Sequence, residues 1–186
     1  MAECNNIPGL LLVIDYEKAY DNLEWPFIEK TLQFFNLGPS FVHWVKTLYN
    51  GAKSTVINNG WASEYFLISR GVRQGCPLSA YIFVLAAETL AINIRKNKTI
   101  QGITVNNAEI KITQYADDTC LTLAYEDDSL SEVVKTFQYF QEVSGLRVNY
   151  GKTEILRIGA IRNSDCKLLR RSKIKWTNDY IKFLGV

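Results

Sequence analysis

Glu109-Ile110-Lys111-Ile112-Thr113-Gln114-Tyr115-Ala116-Asp117-Asp118-Thr119-Cys120-Leu121-Thr122-Leu123-Ala124 holds two β-patterned segments, 109–115 and 120–124, with an acidic pair between them. Asp is depleted in strands and frequent in turns, so a hairpin tip bearing Asp117 and Asp118 needs no further role. Taken alone, that polar-turn reading is the simpler one. A third acid shifts the balance. Residues 10–14 form a continuous apolar run that ends in Asp15, which reads as a buried strand delivering a carboxylate at its C-terminal end. An unpaired carboxylate in such a place is costly. Two carboxylates about 4 Å apart repel by roughly 4 kcal/mol at an effective dielectric of ~20. If Asp15 and Asp117 face each other, a hard divalent cation offsets this, and Mg²⁺ keeps open positions for phosphates. Two such ions about 3.5–4 Å apart activate a hydroxyl and stabilise a leaving oxygen in phosphoryl transfer. The residues alone do not show that the two strands are neighbours.

Outward from these strands, residues 24–36 place Trp25, Ile28, Leu32 and Phe35 at helical spacing, with Pro26 in the first turn. Gly38-Pro39 breaks that helix, and Ser40 is placed to cap a second, with Phe41, Trp44, Val45 and Leu48 on one face. Residues 54–57 and 64–68 predict strands joined through Asn58-Asn59-Gly60. A glycine-bearing loop, 70–75, precedes a helix of about five turns over 78–95 that Pro77 opens. A strand at 102–105 precedes Asn106-Asn107. Ser129 with Glu132 has the capping-box pattern before a helix ending at Gly145. Shorter strands are expected at 146–149, 154–158, 174–176 and 181–184. Strands and helices mix without strict alternation, which predicts one α+β domain over 1–186 with a mostly antiparallel sheet.

The chain has 186 residues, enough for one domain with a real core, and an ordinary 47% hydrophobic and 22% charged composition. No repeat or low-complexity stretch argues for a solenoid or a disordered chain. The apolar stretch 78–91 is interrupted by Glu88 and reads as a buried helix rather than a membrane span, and the expected location is intracellular. Cys4, Cys76, Cys120 and Cys166 are widely spaced and His43 is the single histidine, which argues against zinc and for reduced thiols. Net charge is +2, but residues 109–132 hold seven acidic side chains and one basic one, whereas 147–182 hold ten basic and three acidic. An acidic middle beside a basic end suits a site that holds cations and grips a polyanion, although a charge run is usually a solvated face.

Five blocks, in order, resemble the palm of reverse transcriptases, most closely those of non-LTR (LINE-type) retrotransposons. Residues 11–21, Leu-Leu-Val-Ile-Asp-Tyr-Glu-Lys-Ala-Tyr-Asp, are similar to motif A, and 70–79, Arg-Gly-Val-Arg-Gln-Gly-Cys-Pro-Leu-Ser, to motif B. Tyr115-Ala116-Asp117-Asp118 resembles motif C, Gly145-Leu146-Arg147-Val148-Asn149 with Lys152-Thr153 motif D, and Phe183-Leu184-Gly185 motif E. The resemblance implies a right-hand palm with part of the fingers, the sheet packed on helices and the thumb absent. It implies two Mg²⁺ ions (Mn²⁺ as a substitute) on Asp15, Asp117 and the main-chain carbonyl of Tyr16, with Asp118 as the third catalytic carboxylate. Tyr20 would be a steric gate against a 2′-hydroxyl, the group that marks ribonucleotides; a plain core aromatic is the alternative. Gln74 and Gly75 would shape the nucleotide pocket, and Arg73 would contact template or nucleotide unless it is only a surface residue. Lys152 would be the general acid for departing pyrophosphate, or one basic residue among many. Phe183, Leu184 and Gly185 would grip the primer.

The family often has Pro after the Leu-Ser of motif B; Ala80 stands there, a helix-favouring exchange. The implied partners are an RNA template, a DNA primer and dNTPs, with no membrane. The function expected from the resemblance is RNA-directed DNA synthesis. The rival is a truncated, non-catalytic retroelement remnant that at most binds RNA.

Overall fold

The computed structural model describes residues 8–159, 174–177 and 180–181. Cys4, Cys166 and the primer-grip candidates Phe183, Leu184 and Gly185 lie outside them, as does nearly all of the strand expected at 181–184. In chain order the elements are β1 (Gly9–Ile14), α1 (Ala19–Asn22), α2 (Trp25–Phe34), α3 (Pro39–Tyr49), β2 (Lys53–Ser54), β3 (Ile57–Asn58), β4 (Trp61–Ala62) and β5 (Phe66–Leu67). There follow α4 (Pro77–Lys96), β6 (Ile103–Val105), β7 (Ala108–Ile110), β8 (Ile112–Tyr115), β9 (Asp118–Ala124), α5 (Asp127–Ser144), β10 (Glu154–Ile158) and β11 (Lys175–Thr177).

The apolar run is the middle strand of a five-stranded sheet ordered β11-β10-β1-β9-β8. Every pairing in it is antiparallel except β10 with β11. Leu10, Leu12 and Ile14 of β1 share a face with Leu121 and Leu123 of β9 and Ile155 of β10, and all six are buried. Leu11 and Val13 on the opposite face are only half-buried. The sheet is therefore covered on one face, where α4 and α5 pack, and the run is not the doubly buried strand its unbroken hydrophobicity suggests. Each fully buried Leu, Ile or Phe side chain contributes about 1.5–3 kcal/mol relative to exposure.

α4 runs one residue beyond its expected ends in each direction and buries Ile82, Phe83, Ala86, Leu90 and Ile94. At this full length it is long and apolar enough, by length and composition alone, to cross a membrane, and almost half of that window is buried inside the fold. Three local readings change. The Ser129/Glu132 capping box does not form: the helix starts at Asp127 with no side-chain cap. Ser129 Oγ accepts the Gln101 N–H at 3.0 Å and Glu132 accepts from the Asn97 side chain at 3.1 Å, so both tie α5 to the segment after α4. Pro39 rather than Ser40 begins α3, with Gly38 at φ +81° before it. The buried face of α3 is Val42 and Val45; Trp44 and Leu48 are each 65% exposed.

The expected hairpin over 54–68 is split into two short ladders, β2–β5 and β3–β4, with Asn59-Gly60 at its tip. Both tip residues have positive φ, +52° and +84°, the combination a type I′ turn needs. Asn106 and Asn107 (φ +49° and +63°) turn β6 into β7 in the same way. The strand expected at 109–115 breaks at Lys111, whose buried ammonium turns inward to donate to the Asn97 carbonyl at 2.9 Å. Residues 146–149 form no strand beyond one bridge, Val148 to Tyr16.

Candidate active site

Two registers meet at the end of β1. The β1–β9 ladder closes on Ile14 opposite Thr119, so the next position on each strand sets Asp15 opposite Asp118. Both then lie on the half-open face of the sheet with Val13 and Cys120. The β8–β9 ladder closes on Tyr115 opposite Asp118, leaving Ala116-Asp117 as a two-residue loop. Ala116 has φ +53° and Asp117 is not in the positive region, the φ pattern of a type II′ turn whose first position glycine usually fills. Holding alanine there stores strain of about 1–3 kcal/mol, which the paired strands must offset. Asp117 is thereby presented at an exposed tip, while Asp15 is half-buried at the end of β1.

The other side of β1 is held by the Gly145–Thr153 segment. Asn149 N–H donates to the Asp15 carbonyl at 2.8 Å, Glu17 N–H to Arg147 at 2.9 Å, and Asp15 N–H to the buried Thr153 hydroxyl at 3.4 Å. Successive carbonyls of an extended chain point to opposite edges. Since the Asp15 carbonyl faces 149, that of Tyr16 faces the β8–β9 side. Lys152 is exposed in the turn that closes on Asn149, its N–H donating to that residue's carbonyl at 3.1 Å. The motif D resemblance includes Thr153 beside Lys152 but gives it no role of its own.

Tyr20 lies in α1, directly after this strand end. Its ring stacks on Phe83 of α4, centroids 4.8 Å apart and planes 9° from parallel. Its carbonyl accepts Val72 N–H at 2.7 Å, and Gly71 N–H donates to Leu23 at the same distance. Trp25 Nε1–H donates to the Gly71 carbonyl at 2.8 Å. Gly71 has φ +87°, and a Cβ there would sit 2.8 Å from the Asp21 carbonyl oxygen, so glycine lets the 70–76 loop lie against α1. Gly75, the glycine singled out from sequence, has φ +78° and open space around it. Arg73, Gln74 and Gly75 are exposed. Arg73 and Gln74 line a cleft of about 930 Å³ against the β2–β5 hairpin, which Asp15, Asp117 and Asp118 do not line. The sequence-selected residues thus fall into two groups, one at the strand ends and one at this loop, joined through α1.

Burial drives the Tyr16 phenol well above the ordinary tyrosine range, the Thr119 hydroxyl opposing it in part. The Cys76 thiol, at the start of α4, is held below its usual range by hydrogen bonds from Ser79 and Leu78 and by the nearby Arg73 charge. Among the described residues Cys76 and Cys120 are free thiols. Among the described residues no Lys or Arg pairs with Asp15, Asp117 or Asp118. Nor are three or more acidic, His or Cys side chains gathered tightly enough to define a metal cluster by themselves. The donor chemistry fits Mg²⁺ all the same: hard carboxylate oxygens, unpaired, on two adjacent strand ends, with a carbonyl edge beside them.

A helix-backed antiparallel sheet with acids at the end of its central strand and at the adjoining hairpin tip defines a polymerase palm, here with part of the fingers. Residues 6–186 match the family model described as Reverse transcriptase (RNA-dependent DNA polymerase), and the chain belongs to the reverse transcriptase family. It is 32% identical over 94% of its length to the transposon TX1 uncharacterized 149 kDa protein of Xenopus laevis, of which it spans 13%. It is 29% identical over 93% of its length to the Pol polyprotein of the type-2 retrotransposable element R2DM of Drosophila melanogaster, of which it spans 17%. Among solved structures, the telomerase of Candida tropicalis in complex with a fragment of telomeric RNA covers 82% of the chain at TM-score 0.63 and 16% identity, the chain matching 26% of it. That likeness supports the fold alone.

Proposed function

We propose that this chain is the palm of an RNA-directed DNA polymerase from a non-LTR retrotransposon, adding dNTPs to a primer 3′-hydroxyl on an RNA template. The observation that carries the reading is the β1–β9 register, which ends on Ile14 opposite Thr119 and so leaves Asp15 and Asp118 next along the two chains, with Asp117 in the adjoining two-residue loop. Asp15, Asp117, Asp118 and the Tyr16 carbonyl would hold two Mg²⁺ ions, with Mn²⁺ as a substitute. Such ions, when bound, activate the attacking hydroxyl and stabilise the leaving oxygen. Tyr20 would exclude a 2′-hydroxyl, and the open space over Gly75 leaves room for a nucleotide beside Gln74. Arg73 would meet phosphate charge. Lys152, in the turn hydrogen-bonded to the Asp15 strand end, would give its proton to pyrophosphate. An intracellular location, cytoplasmic or nuclear, goes with these substrates. The test is Mg²⁺-dependent extension of a DNA primer on an RNA template by the purified chain. Extension that is lost in Asp117→Asn supports the reading. RNA binding without extension supports the second reading, a non-catalytic remnant, which the lack of a tight three-ligand cluster among the described residues keeps open.

A further inference from the structure

We infer that Phe83, a fully buried α4 residue, is a positioning residue for sugar discrimination: its ring fixes the height of the Tyr20 ring and so the clearance over the nucleotide's 2′ carbon. The inference rests on the proposed role of Tyr20. Tyr20 sits in a four-residue helix with no side-chain cap, entered through Lys18 in the left-handed region at φ +43°. So short a helix has little rigidity of its own. Two contacts from outside motif A hold it. The Val72 N–H grips the Tyr20 carbonyl at 2.7 Å and fixes the backbone. The Phe83 ring, parallel to the Tyr20 ring at 4.8 Å, fixes the side chain.

Phe83 is 0% exposed and packs among the residues α4 turns toward the sheet, so its own position is set by the core. Tyr20 is half-buried, with one ring face on Phe83. A steric gate discriminates only if the side chain cannot retreat. Rejecting one hydroxyl requires a wall that stays put within a few tenths of an ångström, and the close-packed ring behind Tyr20 supplies that resistance. With Leu at position 83 the flat support is lost and the Tyr20 ring can tilt into the vacated space. Tyr20 stays present and the gate leaks.

The experiment measures discrimination between a dNTP and its matching rNTP in two ways. One is the ratio of kcat/KM in Mg²⁺-dependent primer extension. The other, independent of turnover, is the ratio of Kd for the two nucleotides on protein carrying a DNA primer and RNA template. The variants are Phe83→Leu, Tyr20→Ala, and Leu90→Ala as a control that removes a comparable buried side chain two turns along α4. Phe83→Leu should lower discrimination at least about tenfold in either ratio, chiefly by lowering KM or Kd for the rNTP, while Leu90→Ala leaves both ratios unchanged. Unchanged ratios in Phe83→Leu beside lowered ones in Tyr20→Ala overturn the inference and leave the gate standing. Unchanged ratios in Tyr20→Ala overturn the gate and the inference together. An equal loss in Phe83→Leu and Leu90→Ala assigns Phe83 a purely structural role and overturns it as well.

Discussion

Asp117 stands at a strained two-residue tip, and its chemistry can be removed without touching the fold. Asp117→Asn keeps size and turn propensity but loses the negative charge a divalent ion needs. Extension should fall about 10²–10³-fold, the scale of losing a principal electrostatic contact in a transition state. Circular dichroism and the unfolding midpoint should stay within experimental error. Retained extension removes Asp117 from the chemistry. Tyr16 offers a different residue-scale handle. Its phenol is buried and raised far above the ordinary tyrosine value of 10.0. Below pH 10 the phenol is neutral in folded and unfolded chains alike, so its contribution to stability is constant there. Above pH 10 the unfolded chain gives up the proton and the folded chain keeps it, so stability falls as pH rises. Tyr16→Phe should flatten that alkaline limb between pH 10 and 11.5 in urea titrations; an unchanged slope assigns the limb to other groups. Both acids of the tip and Asp15 were legible in sequence, because a charge closing an apolar run or crowding a turn is conspicuous. Phe83 was not, because a Phe at helical spacing looks like ordinary packing, and Thr153 was marked only as part of a motif, because a Thr in a turn looks like ordinary polarity.

At the scale of elements, Pro26, Pro39, Pro77 and Gly145 mark helix ends that backbone geometry enforces and these were read to within one or two residues, whereas α5 begins three residues before the start its capping pattern suggests and the short α1 was not expected. What sequence misread were side chains with two possible partners. Ser129 and Glu132 satisfy a local capping pattern, yet the unpaired N–H of Gln101 and amide of Asn97 outcompete it. The break between β7 and β8 at Lys111 has the same origin: the carbonyls at the end of α4 need a donor, and a buried lysine provides it. The loop of motif B is held to motif A through Gly71, where a methyl group would press on the Asp21 backbone at positive φ. Gly71→Ala should therefore cost about 1–3 kcal/mol from strain alone, read in chemical denaturation. It should also shift the Trp25 fluorescence, since the indole N–H bonds the Gly71 carbonyl. A stability within about 0.3 kcal/mol of the parent would show that loop and helix do not press together.

At the scale of the whole molecule, one sheet end collects negative charge. Asp15 and the Asp117-Asp118 pair lie about a hundred residues apart in the chain, and they reach neighbouring strand ends because β1 pairs with β9. That order of strands is what no local pattern could supply, since hydrophobic period fixes a strand's faces but not its neighbours. Among the described residues no Lys or Arg pairs with these three carboxylates, so a divalent ion held at the proposed site would add stability to the folded state alone. The linkage is quantitative: at a hundred times its Kd, an ion that ignores the unfolded chain stabilises by about 2.7 kcal/mol. For a domain of this size each kcal/mol moves the midpoint by about 2–4 °C, so saturating Mg²⁺ should raise Tm by roughly 5–10 °C over NaCl of equal ionic strength. Replacing Asp15 and Asp118 together by Asn should abolish the Mg²⁺ increment. An increment that survives the double replacement would place the ion elsewhere on the acidic surface. A parent chain indifferent to Mg²⁺ would mean that the three acids do not meet around a metal in the absence of substrate, and that the nucleotide's own phosphates must complete the site.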